Sequence, residues 1–401
     1  MRILFVTKLF PHSHGISGSL IIYNRIRFLK ECGHKISLIS FIRHSDEPYI
    51  SEIKPLLSEM ELLPDPQMEQ PLKRISHRLF STVPALFCDV NSISMSRQIG
   101  DMVEKYHYHV VIAEFSAMGQ YLYQNPWLPA VRRIISCHEC CTTAYLKAIH
   151  FHGWTFQGLM KRIMFNHVKR YEFNMYRNVD HILVLTSEER YGLLKHSPDL
   201  RISVVPHGVD INYYSPAESL PREESIVFVG YYPNESNRDA VLWFVRTVWP
   251  KLKRRHPGLK FYVVGRHPTP AIQDLGRRDS QIIVTGEVED IRVYLNKARV
   301  FICPIRMGSG FRAKLLEAMS AGVPVVSTSL GAEGIPSWSG ETMLLADTPR
   351  QIFKSVSILL SDRYMRESIA GKARELIVNR FSKDRGCTVL DKVIHDVVNY
   401  D

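Results

Sequence analysis

Short apolar runs of strand length recur along the whole chain, each followed by a turn and then by a segment with helical spacing. In the first half they are RILFVT, HKISLISFI, HVVIAEF, RRIISCH and HILVLTS; in the second, SIVFVG, KFYVVG, QIIVTG, VFICPI and VPVVST. Strands that alternate with helices build parallel sheets through right-handed crossovers, so a doubly wound α/β architecture is expected twice over. At 401 residues the chain exceeds what one hydrophobic core usually organises. The turn-forming residues of ISVVPHGVDINYYSP place the boundary near Pro206, which gives Rossmann-like domains over 1–205 and 206–380. A last helix over 381–401 is expected to cross back to the first domain. Two such domains are expected to face each other across a cleft.

Within this frame, LIIYNRIRFLKECG reads as a helix with Leu20, Tyr23, Asn24, Arg27 and Phe28 in a 3.6-residue rhythm and Gly33 as its stop signal. The four prolines between Pro55 and Leu72 predict an irregular connection. A long helix is expected from about Trp154 to Arg177, with Phe156, Met160, Met164 and Tyr171 on one face, covering the sheet rather than lying on a membrane.

Composition removes several classes. With 45% hydrophobic and 23% charged residues the chain has material for packed cores, and no run reaches the roughly 18 apolar residues of a bilayer-spanning helix. Lys8 interrupts the apolar N-terminus and no small-residue cleavage site follows, so MRILFVTKLF reads as a first strand and the expected location is cytoplasmic. Seven cysteines, an odd number, argue for reduced thiols. Cys137 and Cys140 in CHECC have zinc-knuckle spacing but no second pair follows, so no metal is expected there. The net charge of +11 is spread evenly between the halves, which fits phosphate-bearing substrates or the anionic inner face of a membrane better than nucleic acid. The basic, apolar stretch KRISHRLFSTVPALF is the candidate for such a peripheral contact.

Three glycine loops lie between strands and helices, at Gly15–Ser19, Gly230–Asn237 and Gly308–Gly310, where helix N-termini offer N–H groups to phosphate. None has the GxGxxG or GxxxxGK[ST] pattern. The third carries the most chemistry. In MGSGFRAKLLEAMSAG, Arg312 and Lys314 fall at the helix start, where they add charge to amides aimed at a phosphate, and Glu317 one turn on can reach a hydroxyl pair such as a ribose. The bland reading is a Lys314–Glu317 surface pair worth a few tenths of a kcal/mol.

These segments together resemble the GT-B fold glycosyltransferases of the family 4 type. HSHGISGS resembles that family's first Gly-rich loop, ECGHKISLIS its RGHxVxxIT, VVPHGVDINYYSP its VPNGVDxxxFxP, and LLEAMSAGVPVVST its LLEAMAAGxPVVAT. Two motifs depart from the pattern. Glu317 matches the second glutamate of Glu-x7-Glu, but Ser309 stands at the first, and Tyr231 and Ser236 occupy the places of the usual Arg and Lys after Gly230. The chain is read as a subgroup with GSGxRxKxLEA, in which Arg312 and Lys314 carry the cationic role.

The resemblance implies sugar transfer from a nucleoside diphosphate, a UDP-sugar in preference to a GDP-sugar, to a hydroxyl acceptor such as a glycan or glycolipid. It implies retention at the anomeric carbon, no metal and no cofactor. Arg312, Lys314 and His138 would be catalytic, Glu114 would lie on the acceptor side, and donor binding would fall to Gly18, Ser19, Gly230, Asn237, Arg266, Gly308, Ser309, Gly310, Phe311 and Glu317. A loop histidine with a purely local role is the competing reading of His138. Alternatives for the whole chain are a nucleotide-sugar epimerase or phosphorylase, a non-catalytic GT-B scaffold and, less favoured by the even charge, a DNA-modifying glycosyltransferase.

Overall fold

A computed structural model of the chain describes residues 1–13, 18–66, 83–217, 222–308, 310–336 and 340–399. Gly15, Ser309 and most of KRISHRLFSTVPALF lie outside them. The chain divides into two compact units: Met1–Gly208 with Ser309–Phe311 and Asp384–Asp401, and Val209–Gly308 with Arg312–Lys383. Among the described residues no helix is long and apolar enough to cross a membrane.

The first unit is built on seven strands, β1 (Arg2–Thr7), β2 (Lys35–Ile42), β3 (Glu59–Pro64), β4 (Val110–Glu114), β5 (Arg132–Cys137), β6 (His181–Val184) and β7 (Ile202–Val204). They pair in parallel in the order β3-β2-β1-β4-β5-β6-β7. Successive side chains of a strand point to opposite faces, and both faces here are dry. Leu4 and Val6 of β1 enter a core with Ile39, Val111 and Ile135, while Ile3 and Phe5 enter another with Leu38, Ile112 and Ile134. The second core also takes Leu390, Val393, Ile394 and Val397 from the helix Lys383–Asn399. The second unit has six strands, β8 (Glu223–Val229), β9 (Lys260–Val264), β10 (Ile282–Gly286), β11 (Ala298–Cys303), β12 (Val325–Ser327) and β13 (Leu344–Leu345). They are again parallel, in the order β10-β9-β8-β11-β12-β13.

Three local expectations need correction. The proline-rich stretch after Pro55 contains strand β3, whose partner is β2 alone. At a sheet edge the N–H that proline lacks is not missed, and Pro64 closes the strand. The helix Gly18–Glu31 buries Ile21, Ile22, Arg25, Ile26 and Leu29, not the face through Tyr23, Asn24 and Phe28. Both faces carry apolar residues, and the one with three β-branched isoleucines packs on the sheet. The helix Phe156–Arg177 buries Val168, Phe173, Met175 and Tyr176 toward its C-terminal end, whereas Phe156 and Met160 stand in solvent.

Candidate functional site

Each sheet has one place where neighbouring strands lead off in opposite directions, between β1 and β4 in the first unit and between β8 and β11 in the second. The crevice at the carboxyl ends of such strands is where doubly wound sheets bind ligands, because crossover connections diverge there and leave backbone uncovered. The sequence-predicted residues gather at both places.

In the second unit, Gly230 follows β8 and Gly265 follows β9. Gly265 has φ +137°, and a Cβ on it would lie 1.8 Å from the Gly230 carbonyl oxygen, so only glycine permits these two loops to touch backbone to backbone. Asn234 caps the helix Glu235–Thr247 by accepting from Ser236 N at 2.9 Å. Asn237, expected ahead of this helix, lies in its first turn and is buried. Its amide nitrogen donates to the Tyr231 carbonyl at 2.9 Å and its oxygen accepts from Lys314 Nζ at 2.7 Å. One side chain therefore ties the β8 loop to the helix Ala313–Ser320.

Lys314 has two further constraints: Nζ lies 4.5 Å from the ring centroid of Phe228, and burial pushes its pKa down to about 8, with Arg312 adding repulsion against the attraction of Cys303 and Glu317. Burial likewise pushes Glu317 up to about 7, against Lys314 and a hydrogen bond from the Tyr214 hydroxyl. Lys314 and Glu317 are not the surface pair of the bland reading, since each has its own partner across the fold. Arg312 precedes the helix as its N-terminal cap residue, and its guanidinium lies beside Gly308, where a Cβ would stand 3.5 Å from Nη2 and 3.6 Å from Ser236 Cβ. Gly308 and Gly310 have φ of +90° and +87°, and Phe311 sets its ring 5.8 Å from that of His207. Arg266 is committed elsewhere: Nε pairs with Glu287 at 2.8 Å, so its charge is locally neutralised.

In the first unit, Glu114 ends β4 and is fully buried. Both its oxygens accept from Arg25 Nη1, at 2.9 and 3.0 Å, and one lies 2.6 Å from His138 Nε2. Arg25 also donates to Ser136 Oγ at 2.7 Å. Burial alone would raise the Glu114 carboxyl, but Arg25 and His138 hold it down at about 2. The His138 pKa is lowered, chiefly by burial and only partly offset by Glu114. An ionised carboxylate only accepts, so the neutral imidazole carries its proton on Nε2 and presents Nδ1 as an acceptor. The ring stacks on Phe115 at 4.3 Å, and Lys8 Nζ lies 4.5 Å from the same Phe115 ring.

Gly18 and Ser19 belong to this first group and do structural work. A Cβ at Gly18 would meet the Phe115 ring at 2.3 Å, and the Ser19 hydroxyl is spent on the Phe10 carbonyl at 2.5 Å. His207 follows the VVP of the motif and was not singled out in the sequence. Burial drives its pKa down to about 4, with His138 and Arg25 also repelling charge, and its Nδ1 donates to the Gly208 carbonyl at 2.7 Å. Sequence reading also missed Arg25, Lys8 and Phe115; a strand-end position was the available signal for the last two. The loop that carries His138 is pinned by buried Glu172, which accepts from Cys141 N, Thr142 N, Thr142 Oγ1, Ser116 Oγ and Tyr176 OH at 2.6 to 2.9 Å. Cys137, Cys140 and Cys141 are buried thiols whose pKa values burial raises.

Residues 223–362 match the family described as glycosyl transferases group 1. An uncharacterized 44.6 kDa protein in the cps region of Klebsiella pneumoniae is 24% identical over 353 residues, 84% of this chain and 85% of that protein. The phosphatidyl-myo-inositol mannosyltransferase of Mycobacterium tuberculosis is 30% identical over 135 residues, 32% of this chain and 35% of that protein. The match thus spans about a third of the mannosyltransferase's length. Among solved structures, Anabaena HepE in complex with UDP superimposes with a TM-score of 0.72 at 12% identity, covering 99% of this chain and 100% of that one. The chain thus has the GT-B fold of glycosyltransferase structures, and its match to the glycosyl transferases group 1 falls on the second unit.

Proposed function

We propose that this protein is a glycosyltransferase that moves a sugar from a nucleoside diphosphate, preferentially UDP, to an acceptor hydroxyl in polysaccharide or glycolipid biosynthesis. The observation that carries the reading is the group at the switch point of the second sheet. Lys314 is held there by Asn237 and Phe228 in the first turn of a helix, with Arg312 at its cap and Glu317 one turn further. A diphosphate at that helix start would meet the positive end of the helix and two cations, while Glu317 accepts from ribose hydroxyls. Charge that grows on the departing diphosphate is stabilised by the same cations, a contribution of several kcal/mol in sites of this kind. Sugar transfer then needs no metal from this chain. It proceeds with retention, and the leaving phosphate takes the acceptor proton. In the first unit, His138 Nδ1 and Lys8, both set against the Phe115 ring, offer an acceptor and a donor suited to a hydroxyl-rich ligand.

Calorimetric titration with UDP, GDP, ADP and TDP tests the reading. One nucleotide is expected to bind, UDP first, and Lys314→Ala and Glu317→Ala each to weaken it at least tenfold. Failure of all four to bind the wild-type protein moves the assignment to a non-catalytic scaffold.

A further inference from the structure

A two-helix projection in the first unit carries an apolar stripe that no described residue covers. The helices are Cys141–His152 and Phe156–Arg177, joined by a three-residue turn. The turn is built firmly. Gly153 sits at φ +56°, the Thr155 side chain caps the second helix by accepting from Gly158 N, and a Cβ on Gly158 would lie 2.3 Å from the Gly153 carbonyl oxygen. Phe156, Leu159, Met160 and Ile163 follow at i, i+3, i+4 and i+7, one face of the helix, and all are exposed. Trp154 at the tip is 85% exposed, Phe156 78% and Ile163 67%. Large apolar side chains in helical register usually face a core. Here, apart from Gly158 packed against the turn, the buried set of the same helix begins at Val168, so the stripe on the outer turns lies outside the core.

The segment that carries this stripe is itself charged with one sign. From Cys140 to Tyr171 there is no Asp or Glu, while Lys147, Lys161, Arg162, Lys169 and Arg170 are cationic. Arg162 lies 4.5 Å over the Trp154 ring and Lys161 5.2 Å over that of Tyr145, so two of these cations are held at the tip with the aromatics. A second copy of the chain would have to place these cations against one another, and an apolar protein groove would leave them without partners. An anionic bilayer meets both demands: its headgroups take the Lys and Arg side chains, and the acyl boundary takes Trp154, Phe156 and Ile163.

We propose that this projection docks the protein on an anionic membrane surface, with the stripe Trp154, Phe156, Leu159, Met160 and Ile163 inserted below the headgroups. The surface is distinct from the two groups described above, and its test does not depend on catalysis. Full-length protein is pelleted with sucrose-loaded vesicles of phosphatidylcholine alone or doped with phosphatidylglycerol. Wild type is expected to partition about tenfold more strongly to the doped vesicles at low salt, and to lose that gain as salt rises. The triple variant Trp154→Glu, Phe156→Glu, Ile163→Glu should fall to background while its circular dichroism and melting curve match wild type, because the three side chains support no core. Lys161→Glu with Arg162→Glu should abolish the preference for phosphatidylglycerol. Equal pelleting of wild type and the triple variant overturns the proposal. So does an absence of vesicle binding accompanied by a monomer–dimer equilibrium in sedimentation that the triple variant removes, which would assign the stripe to a second copy.

Discussion

Lys314 is a residue whose environment opposes its own charge. The unfolded chain holds its proton to about pH 10.5, the folded chain only to about 8. Between those values the unfolded state binds the extra proton, so stability rises with pH through that window, and below it the fold carries the full cost of a desolvated ammonium. A bound diphosphate reverses the balance by favouring the charged form. Nucleotide binding should therefore take up protons near pH 8, and the dissociation constant for UDP should rise about tenfold between pH 7 and pH 9 as the free ammonium is lost. Titration of wild type and Lys314→Arg at both values is the check. Arginine stays charged throughout, so that variant should show no such weakening. A flat wild-type profile would remove Lys314 from the anion site. The motif made Lys314, Arg312 and Glu317 legible in the sequence, since six consecutive residues at one helix start bring them together. Arg25 was not legible, because its meaning comes from Glu114, 89 residues away. His207 was hidden for a similar reason: its burial beside His138 and Arg25 is a tertiary fact.

At the scale of elements, most strands followed from the runs of β-branched and aromatic residues, while β3, the order of strands in each sheet and the facing of helices did not. The helix Gly18–Glu31 carries apolar residues on both sides, so periodicity admits two phases and only packing on the sheet selects Ile21, Ile22 and Ile26. Glu172 was not legible either: it is fully buried, and its partners come from other elements. It supplies the acceptor for the two leading N–H groups of the helix Cys141–His152, for the Thr142, Ser116 and Tyr176 hydroxyls, and thereby fixes the segment just after His138. Glu172→Ala strips that acceptor from several buried donors at once and leaves a hole. It should cost about 3 kcal/mol or more in urea unfolding. Glu172→Gln keeps one acceptor oxygen and should cost less; equal stability of Glu172→Ala and wild type would show that water replaces the carboxylate.

On the scale of the whole molecule, the chain's ends meet in one unit. The helix Lys383–Asn399 sends Leu390, Val393, Ile394 and Val397 into the core that Ile3 and Phe5 of β1 enter from the other side, and Asp391 lies 2.8 Å from His34 Nε2. A helix that follows the second unit in sequence thus completes a core of the first. That return was an expectation of the sequence analysis, but its contacts were not, since an amphipathic helix names no partner. Ile394 is fully buried in this core. Ile394→Ala should cost about 2–5 kcal/mol, the usual range for emptying such a site, and should lower the unfolding transition of the first unit selectively. Hydrogen exchange resolves the two units. Amides of β1 and β2 should exchange faster in the variant by the factor that this loss implies, whereas those of β8 and β9 keep wild-type rates. Equal acceleration in both sheets would mean that the units unfold as a single cooperative body and that the helix stabilises the whole chain rather than the unit it packs in.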